Sequence, residues 1–136
     1  VATNKEIAID LSLAIMRGDW DRVESLLAED FEYTSDGRAP LNKVSYLAFT
    51  RYVLCEAMTE MQMSFPRSVE EGELVALEYQ NAMTHSGLFL GHSGTGRRVI
   101  ATGHLIRQVR DGKVRREWQT TNAAGLLAQL GAPRSY

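Results

Sequence analysis

Arg107 and Glu117 are the two residues of this sequence whose types and spacing could do chemistry together. They flank Asp111-Gly112, a dipeptide that suits the positive φ angles of a two-residue hairpin loop. The run Val99 to Val109 reads as one strand, and Val114 to Thr121 as the antiparallel strand returning from it. Arg107 shares its strand parity with Leu105, and Glu117 shares its own with Gln119 and Thr121. Arg107 and Glu117 could therefore meet across the hairpin. On the surface such a pair is worth little. In the interior, Glu117 is a general base and Arg107 a stabiliser of a developing oxyanion.

Other polar residues stand near this pair in the pattern. His104 has the opposite parity to Leu105 and Arg107, so it faces the other side of the sheet unless a bulge intervenes. Tyr33 and Tyr79 are candidate pocket liners, each with a hydroxyl that can orient a polar ligand. Asp36 sits in Ser35-Asp36-Gly37, which is also ordinary turn chemistry. His85, His92 and His104 show no paired metal-ligand spacing, so no metal is expected. The glycines of GHSGTG do not follow the strand, glycine loop and helix order of a nucleotide site, and no organic cofactor is expected.

The elements that must position these residues are legible in order. Thr3 to Glu6 is a capping box, followed by Ile7, Leu11, Ala14 and Ile15 at helical spacing. Gly18 ends that helix, and Asp19 caps a shorter one carrying Val23, Leu26 and Leu27. Phe31 to Thr34 is a short strand. A third helix runs from about Asn42 to Met58, with Val44, Leu47, Ala48, Arg51 and Cys55 on one stripe and Tyr46, Phe49, Tyr52 and Val53 broadening it. Met61, Met63 and Phe65 then alternate, Glu71-Gly72 turns the chain, and Leu74 to Thr84 is a long strand. Val75, Leu77, Tyr79, Asn81 and Met83 share one of its faces. A glycine-rich connection leads to the hairpin, and a short helix from Ala123 to Leu130 is stopped by Gly131 and Pro133. Helices gathered before an antiparallel meander indicate an α+β domain with helices on one face of a curved sheet.

Composition narrows the function. The 136 residues fit a single domain, residues 1–136, with a core. A net charge of −2 gives no basic face for nucleic acid. No apolar run approaches the ~20 residues of a membrane span. Cys55, the single cysteine, reads as a buried structural thiol, and the expected location is a reducing cytoplasm.

Four segments, in order and spacing, resemble the SnoaL-like polyketide cyclase family of the NTF2-like superfamily. They are Glu70-Glu71-Gly72 with Val75-Ala76; His85-Ser86-Gly87 with Gly91; Thr95-Gly96-Arg97-Arg98; and Asp111-Gly112-Lys113 through Trp118 to Gln129-Leu130-Gly131. The resemblance implies an NTF2-like cone, a curved antiparallel or mixed sheet with N-terminal helices enclosing a pocket. It also implies a homodimer or higher oligomer formed through the sheet. The family's cyclases close a ring by an aldol step, using an acid/base Asp on the last strand and a His on the preceding one. Counted from Asp111-Gly112-Lys113, those places fall at Gln119 and Leu105, and neither titrates. Asp36 lies near where ketosteroid isomerases of the superfamily keep their base. Trp118 and Asn122 match family positions, Asn122 where Asp is usual; core packing and a helix cap are their plainer roles.

The candidate catalytic residues are then Glu117, Asp36 and His104. The candidate substrate-binding residues are Gln119, Arg107, Tyr33, Tyr79, Asn81, Trp118 and Asn122. The expected ligand is an apolar, oxygenated small molecule. Three functions fit: cofactor-free isomerase, dehydratase or hydratase chemistry, non-catalytic ligand binding, or an oligomerisation module with a filled cone.

Overall fold

A computed structural model describes residues 1–131. Pro133, the expected second stop of the last helix, lies outside the described residues. Helix α1 (Asn4–Arg17) and helix α2 (Trp20–Leu26) come first. Thr3 caps α1 by accepting from the Glu6 N–H, and Gly18 closes it at φ 69°, where glycine has no Cβ to strain. Asp19 accepts from Arg22 N–H to start α2. Strand β1 (Leu27–Ser35) is followed by a short strand β2 (Leu41–Asn42) and helix α3 (Lys43–Tyr52). Strands β3 (Met58–Ser64), β4 (Ser68–Glu71), β5 (Leu74–His85), β6 (Arg98–Arg110) and β7 (Lys113–Thr121) follow, and helix α4 (Ala123–Gln129) ends the fold. Among the described residues, no helix is long and apolar enough to cross a membrane.

The seven strands form one sheet in the order β2-β1-β7-β6-β5-β3, with β4 paired to the first half of β5. All neighbours are antiparallel except β1 and β7, which run parallel. The mixed, curved α+β sheet is the expected one, but β2 and β4 were not. Both are too short to show alternation, and β4 (SVEE) is mostly exposed. The β6–β7 hairpin turns where expected: Arg110 opposes Lys113, with Asp111 and Gly112 at φ 53° and 76° between them. A bulge between Gln108 and Val109 then shifts the register by one residue, so that Arg107 faces Glu117. The main core lies between α1, α2, α3 and the concave face of the sheet, around Leu11, Phe31, Leu77 and Val114.

Two helical expectations fail. Helix α3 stops at Tyr52, and Val53–Ala57 winds as a π turn. Bonds to the fifth residue on widen the coil and shift the phase of every side chain after Tyr52. Cys55, expected to be buried, is exposed, because the stripe it shares with Val44, Ala48 and Arg51 already faces outward along α3. The inward face of α3 is also different: Lys43, Tyr46 and Thr50 are buried, while Val44 is exposed. Lys43 reaches the Leu27 carbonyl and the Glu29 carboxylate, and Thr50 donates to the Tyr46 carbonyl, so these polar groups enter the interior already paired.

One glycine is a packing requirement. Tyr79, Gly103 and Thr121 stand in register on β5, β6 and β7, and the Tyr79 hydroxyl bonds Thr121 Oγ1, two strands away. The tyrosine ring therefore lies flat over Gly103. A Cβ at Gly103 would collide with the Tyr79 hydroxyl and the Thr120 carbonyl oxygen. We expect Gly103→Ala to lower stability by about 1–3 kcal/mol, read by urea unfolding. An unchanged midpoint would show that the ring has room to move.

Candidate functional site

The concave face encloses a cavity of about 230 Å³, lined largely by apolar side chains. Its floor comes from the inward residues of β5, β6 and β7: Tyr79, Asn81 and Met83; Ala101, Leu105 and Arg107; Glu117, Gln119 and Thr121. Strand alternation alone places these on one face. Tyr33 of β1 joins them, while Ser12 and Ile15 of α1 and Tyr46, Phe49 and Thr50 of α3 form the roof. The π turn adds Val53 and Leu54, and the β5–β6 loop adds Phe89 and Leu90.

That loop is held by His85, whose side chain is fully buried. His85 Nδ1 accepts from the Thr95 N–H at 3.3 Å and lies 3.0 Å from Thr95 Oγ1. Its Nε2 donates to the His92 carbonyl at 3.2 Å. The ring is thereby fixed as the Nε2–H tautomer and closes the loop against the end of β5.

Two polar clusters interrupt the apolar lining. The first is the ion pair. Arg107 Nε donates to Glu117 Oε1 at 2.7 Å, and the two residues are 2% and 1% exposed. Arg107 Nη1 also donates to the Ala8 carbonyl at 2.5 Å and to Ser12 Oγ at 2.6 Å. Tyr46 donates its hydroxyl to Glu117 Oε1 at 3.4 Å. Burial works against the guanidinium charge, but the Glu117 carboxylate holds the Arg107 pKa above its usual value. Burial, and then the Glu117 charge, push the Tyr46 phenol well above its usual range, so it remains a donor. Among the described residues, the hydrogen bonds to Glu117 end on Oε1, which leaves Oε2 for a ligand.

The second cluster is a directed chain. Tyr33 donates to Gln119 Oε1 at 3.0 Å, and Gln119 Nε2 donates to the Tyr79 hydroxyl at 2.9 Å. The Tyr79 hydroxyl shares a further hydrogen bond with Thr121 Oγ1 at 2.5 Å. Only a group with both an acceptor and a donor can join two tyrosines this way, and a glutamine is one. The outcome is a row of hydrogen-bonded oxygens on the same face as Glu117.

A family profile described as SnoaL-like polyketide cyclase matches residues 8–130. The chain belongs to the SnoaL-like polyketide cyclase family. AclR of Streptomyces galilaeus, a candidate hydroxylase, superposes with a TM-score of 0.84 at 25% identity, over 94% of this chain and 95% of its own. IdmH of Streptomyces antibioticus, a candidate polyketide cyclase, also gives 0.84, at 26% identity over 96% of this chain and all (100%) of its own. An epoxide hydrolase of the LEH-like type from M. tuberculosis shares the fold, at 0.74 and 16% identity over 93% and 88% of the two chains. No curated protein matches the chain.

Within this SnoaL-like cavity the expected site residues separate. Glu117, Arg107, Gln119, Tyr33, Tyr79 and Asn81 all line it. Leu105 and Gln119 are cross-strand partners inside it, brought opposite each other by a bulge between Gln108 and Val109, since straight counting from Arg110 and Lys113 would pair Leu105 with Trp118. Asp36 lies at the rim, exposed, in a left-handed turn at φ 47°. Three residues are not in the cavity. His104 points to the convex face, three-quarters exposed, with Nε2 3.5 Å from Glu78 Oε2. Trp118, opposite Ile106 in the sheet, is 43% exposed on that same face, so it is neither core nor cavity wall. Parity along β6 excludes His104, and the bulge between Gln108 and Val109 turns Trp118 outward, out of phase with the buried Val114. Asn122 caps α4, accepting from the Gly125 N–H at 2.9 Å. Sequence reasoning missed Tyr46, Ser12 and the Ala8 carbonyl. The buried Lys43, Tyr46 and Thr50 at helical spacing were a signal for Tyr46, overshadowed by the more apolar stripe beside it.

Removing one partner of a buried pair strands the other charge, whereas removing both does not. We expect Glu117→Leu to cost about 3–5 kcal/mol, and Arg107→Met with Glu117→Leu to regain most of that loss. Urea unfolding of native, single and double variants checks this, and equal losses in the single and double variants would refute it. The Tyr33 pKa gives a second check. Burial, with a further contribution from the Glu117 charge, raises it to about 12. The folded state thus favours the neutral phenol, and this contribution to stability is complete below about pH 10 and lost as pH rises through about 12. The phenolate absorbance missing from Tyr33→Phe, relative to native protein, should appear near pH 12 rather than 10.

Proposed function

We propose that this SnoaL-like protein is a cofactor-free acid/base enzyme that acts on an apolar, oxygenated small molecule. The observation that carries the proposal is a buried carboxylate, Glu117, lining an open and mostly apolar cavity. A filled cone would have supported an oligomerisation module, and an open cone without a carboxylate a simple binder. Glu117 is the base, taking a proton from carbon through Oε2. Arg107 fixes the carboxylate's orientation and places positive charge beside a developing oxyanion. The Tyr33–Gln119–Tyr79–Thr121 chain holds a carbonyl or hydroxyl of the substrate. This arrangement suits isomerisation, dehydration or hydration.

Gln119 stands where the resemblance places the cyclase Asp, and an amide cannot carry the proton of an aldol closure. Aldol cyclisation is accordingly not the reaction proposed. The fold alone does not choose among reactions, since the similar structures include a candidate hydroxylase, a candidate cyclase and an epoxide hydrolase.

Proton abstraction can be tested without the natural substrate. Solvent deuterium should enter the acidic carbon positions of 2-tetralone faster with native protein than without it, followed by mass spectrometry. Glu117→Gln, which keeps an acceptor for Arg107, should lower that rate by about 10²–10⁴-fold with little change in ligand affinity. Binding of 2-tetralone without accelerated exchange would instead favour a non-catalytic binder.

A further inference from the structure

We propose that Asn81 is a second polar anchor of the cavity, and that the ligand is elongated and carries a hydroxyl at the end that Asn81 meets. This rests on the reading of the cavity as a ligand site.

Asn81 is 5% exposed and lines the cavity between Tyr79 and Met83 of β5. Its cross-strand neighbours are Met63 on β3 and Ala101 on β6, both apolar and both lining the same cavity. Its Oδ1 is shielded from solvent and has no hydrogen-bond partner among the described residues. The contrast with the rest of the lining is direct. Tyr33, Tyr46, Tyr79, Arg107, Glu117 and Gln119 are all hydrogen-bonded within the protein. A leucine of similar volume would pack against Met63 and Met83 at no such loss, because an unmade buried hydrogen bond opposes folding. An amide in this position therefore has its use when a ligand is bound. Its terminal torsion is broad and roughly two-fold, so rotation presents either the oxygen or the NH₂ to the cavity. A hydroxyl, donor and acceptor at once, fits both presentations.

The register sets the length of the ligand. Glu117 lies in the row of Arg107 and Val75, Gln119 in the row of Leu105 and Leu77, and Asn81 in the row of Ala101. At about 3.3 Å per residue, Asn81 stands roughly 13 Å along β5 from the Gln119 row and roughly 20 Å from the Glu117 row. A ligand that reaches from Gln119 itself to Asn81 is the size of three fused rings, and it passes the Tyr79–Thr121 end of the chain, which stands roughly 7 Å from Asn81. The class is a flat, apolar molecule with an oxygen towards one end and a hydroxyl at the other.

The test compares anthraquinone, 2-hydroxyanthraquinone and 2-methoxyanthraquinone by calorimetry, below the pKa of the phenol. Native protein should bind the hydroxyl compound about tenfold more tightly than the other two. Asn81→Leu should bind all three alike, retain the native affinity for anthraquinone, and melt no lower than native. Asn81→Ala provides the same comparison if the leucine variant does not fold. Equal binding of the three compounds by native protein would overturn the proposal, as would a hydroxyl preference that survives in the variants. Failure of all three to bind native protein would instead remove the reading of the cavity itself, and the role of Asn81 with it.

Discussion

The Arg107–Glu117 pair is the constraint on which the remaining architecture depends. Two charges withdrawn from water are costly, and their attraction offsets that cost only when the other hydrogen-bonding groups are satisfied as well. Here the satisfying groups come from elsewhere in the chain. Helix α1 supplies the Ala8 carbonyl and Ser12, and α3 supplies Tyr46. The guanidinium thus fixes where the first helix crosses the sheet, and the carboxylate how deep the third one sits. Where a protein interior needs only stability, well-packed apolar residues serve as well or better. A charged pair at a cavity wall, held by the surrounding helices, is what the proposed proton transfer calls for.

Gln119 organises the other half of the site by a different means. It carries no charge and moves no proton, but it gives direction to a row of hydroxyls. A carboxylate in its place could accept from both tyrosines and donate to neither. The amide therefore changes more than the proton inventory of the cavity. It decides which oxygens offer lone pairs to a ligand and which offer hydrogens.

Much of this was legible in the residues, and what was not has physical reasons. The β6–β7 turn followed from Asp111-Gly112, and the inward direction of Leu105 from strand parity. The expected meeting of Arg107 with Glu117 came about through a one-residue bulge between Gln108 and Val109, which the residue pattern did not announce. The family also followed, because its segments lie in the strands and turns, where residue type is closely tied to backbone shape. Strand parity correctly placed His104 outside, so carrying it among catalytic candidates gave proximity in sequence more weight than geometry. Trp118 was misjudged as interior: it is in phase with the buried Val114, and the bulge between them turns it outward and Glu117 inward. Helix α3 was misread because hydrophobicity is a poor guide when polar side chains enter the core with their partners. The depth of Glu117 was not legible at all, since it depends on Tyr46 and Ser12, which lie 71 residues from Glu117 and 95 from Arg107.

The parallel pairing of β1 with β7 has a consequence for how the molecule is made. Leu27 to Ser35 finds its neighbour in Val114 to Gln119, and the Ala8 carbonyl meets a guanidinium 99 residues later. Contacts so distant in sequence delay folding, because a long loop must close before they form. On the ribosome, β1 would leave the tunnel with one edge unpaired and wait for the final hairpin. Its Glu29, Asp30 and Glu32 are exposed, and charge along an open edge discourages pairing with another chain. The acidic composition of this strand is then a safeguard for the interval of synthesis, before the cavity exists.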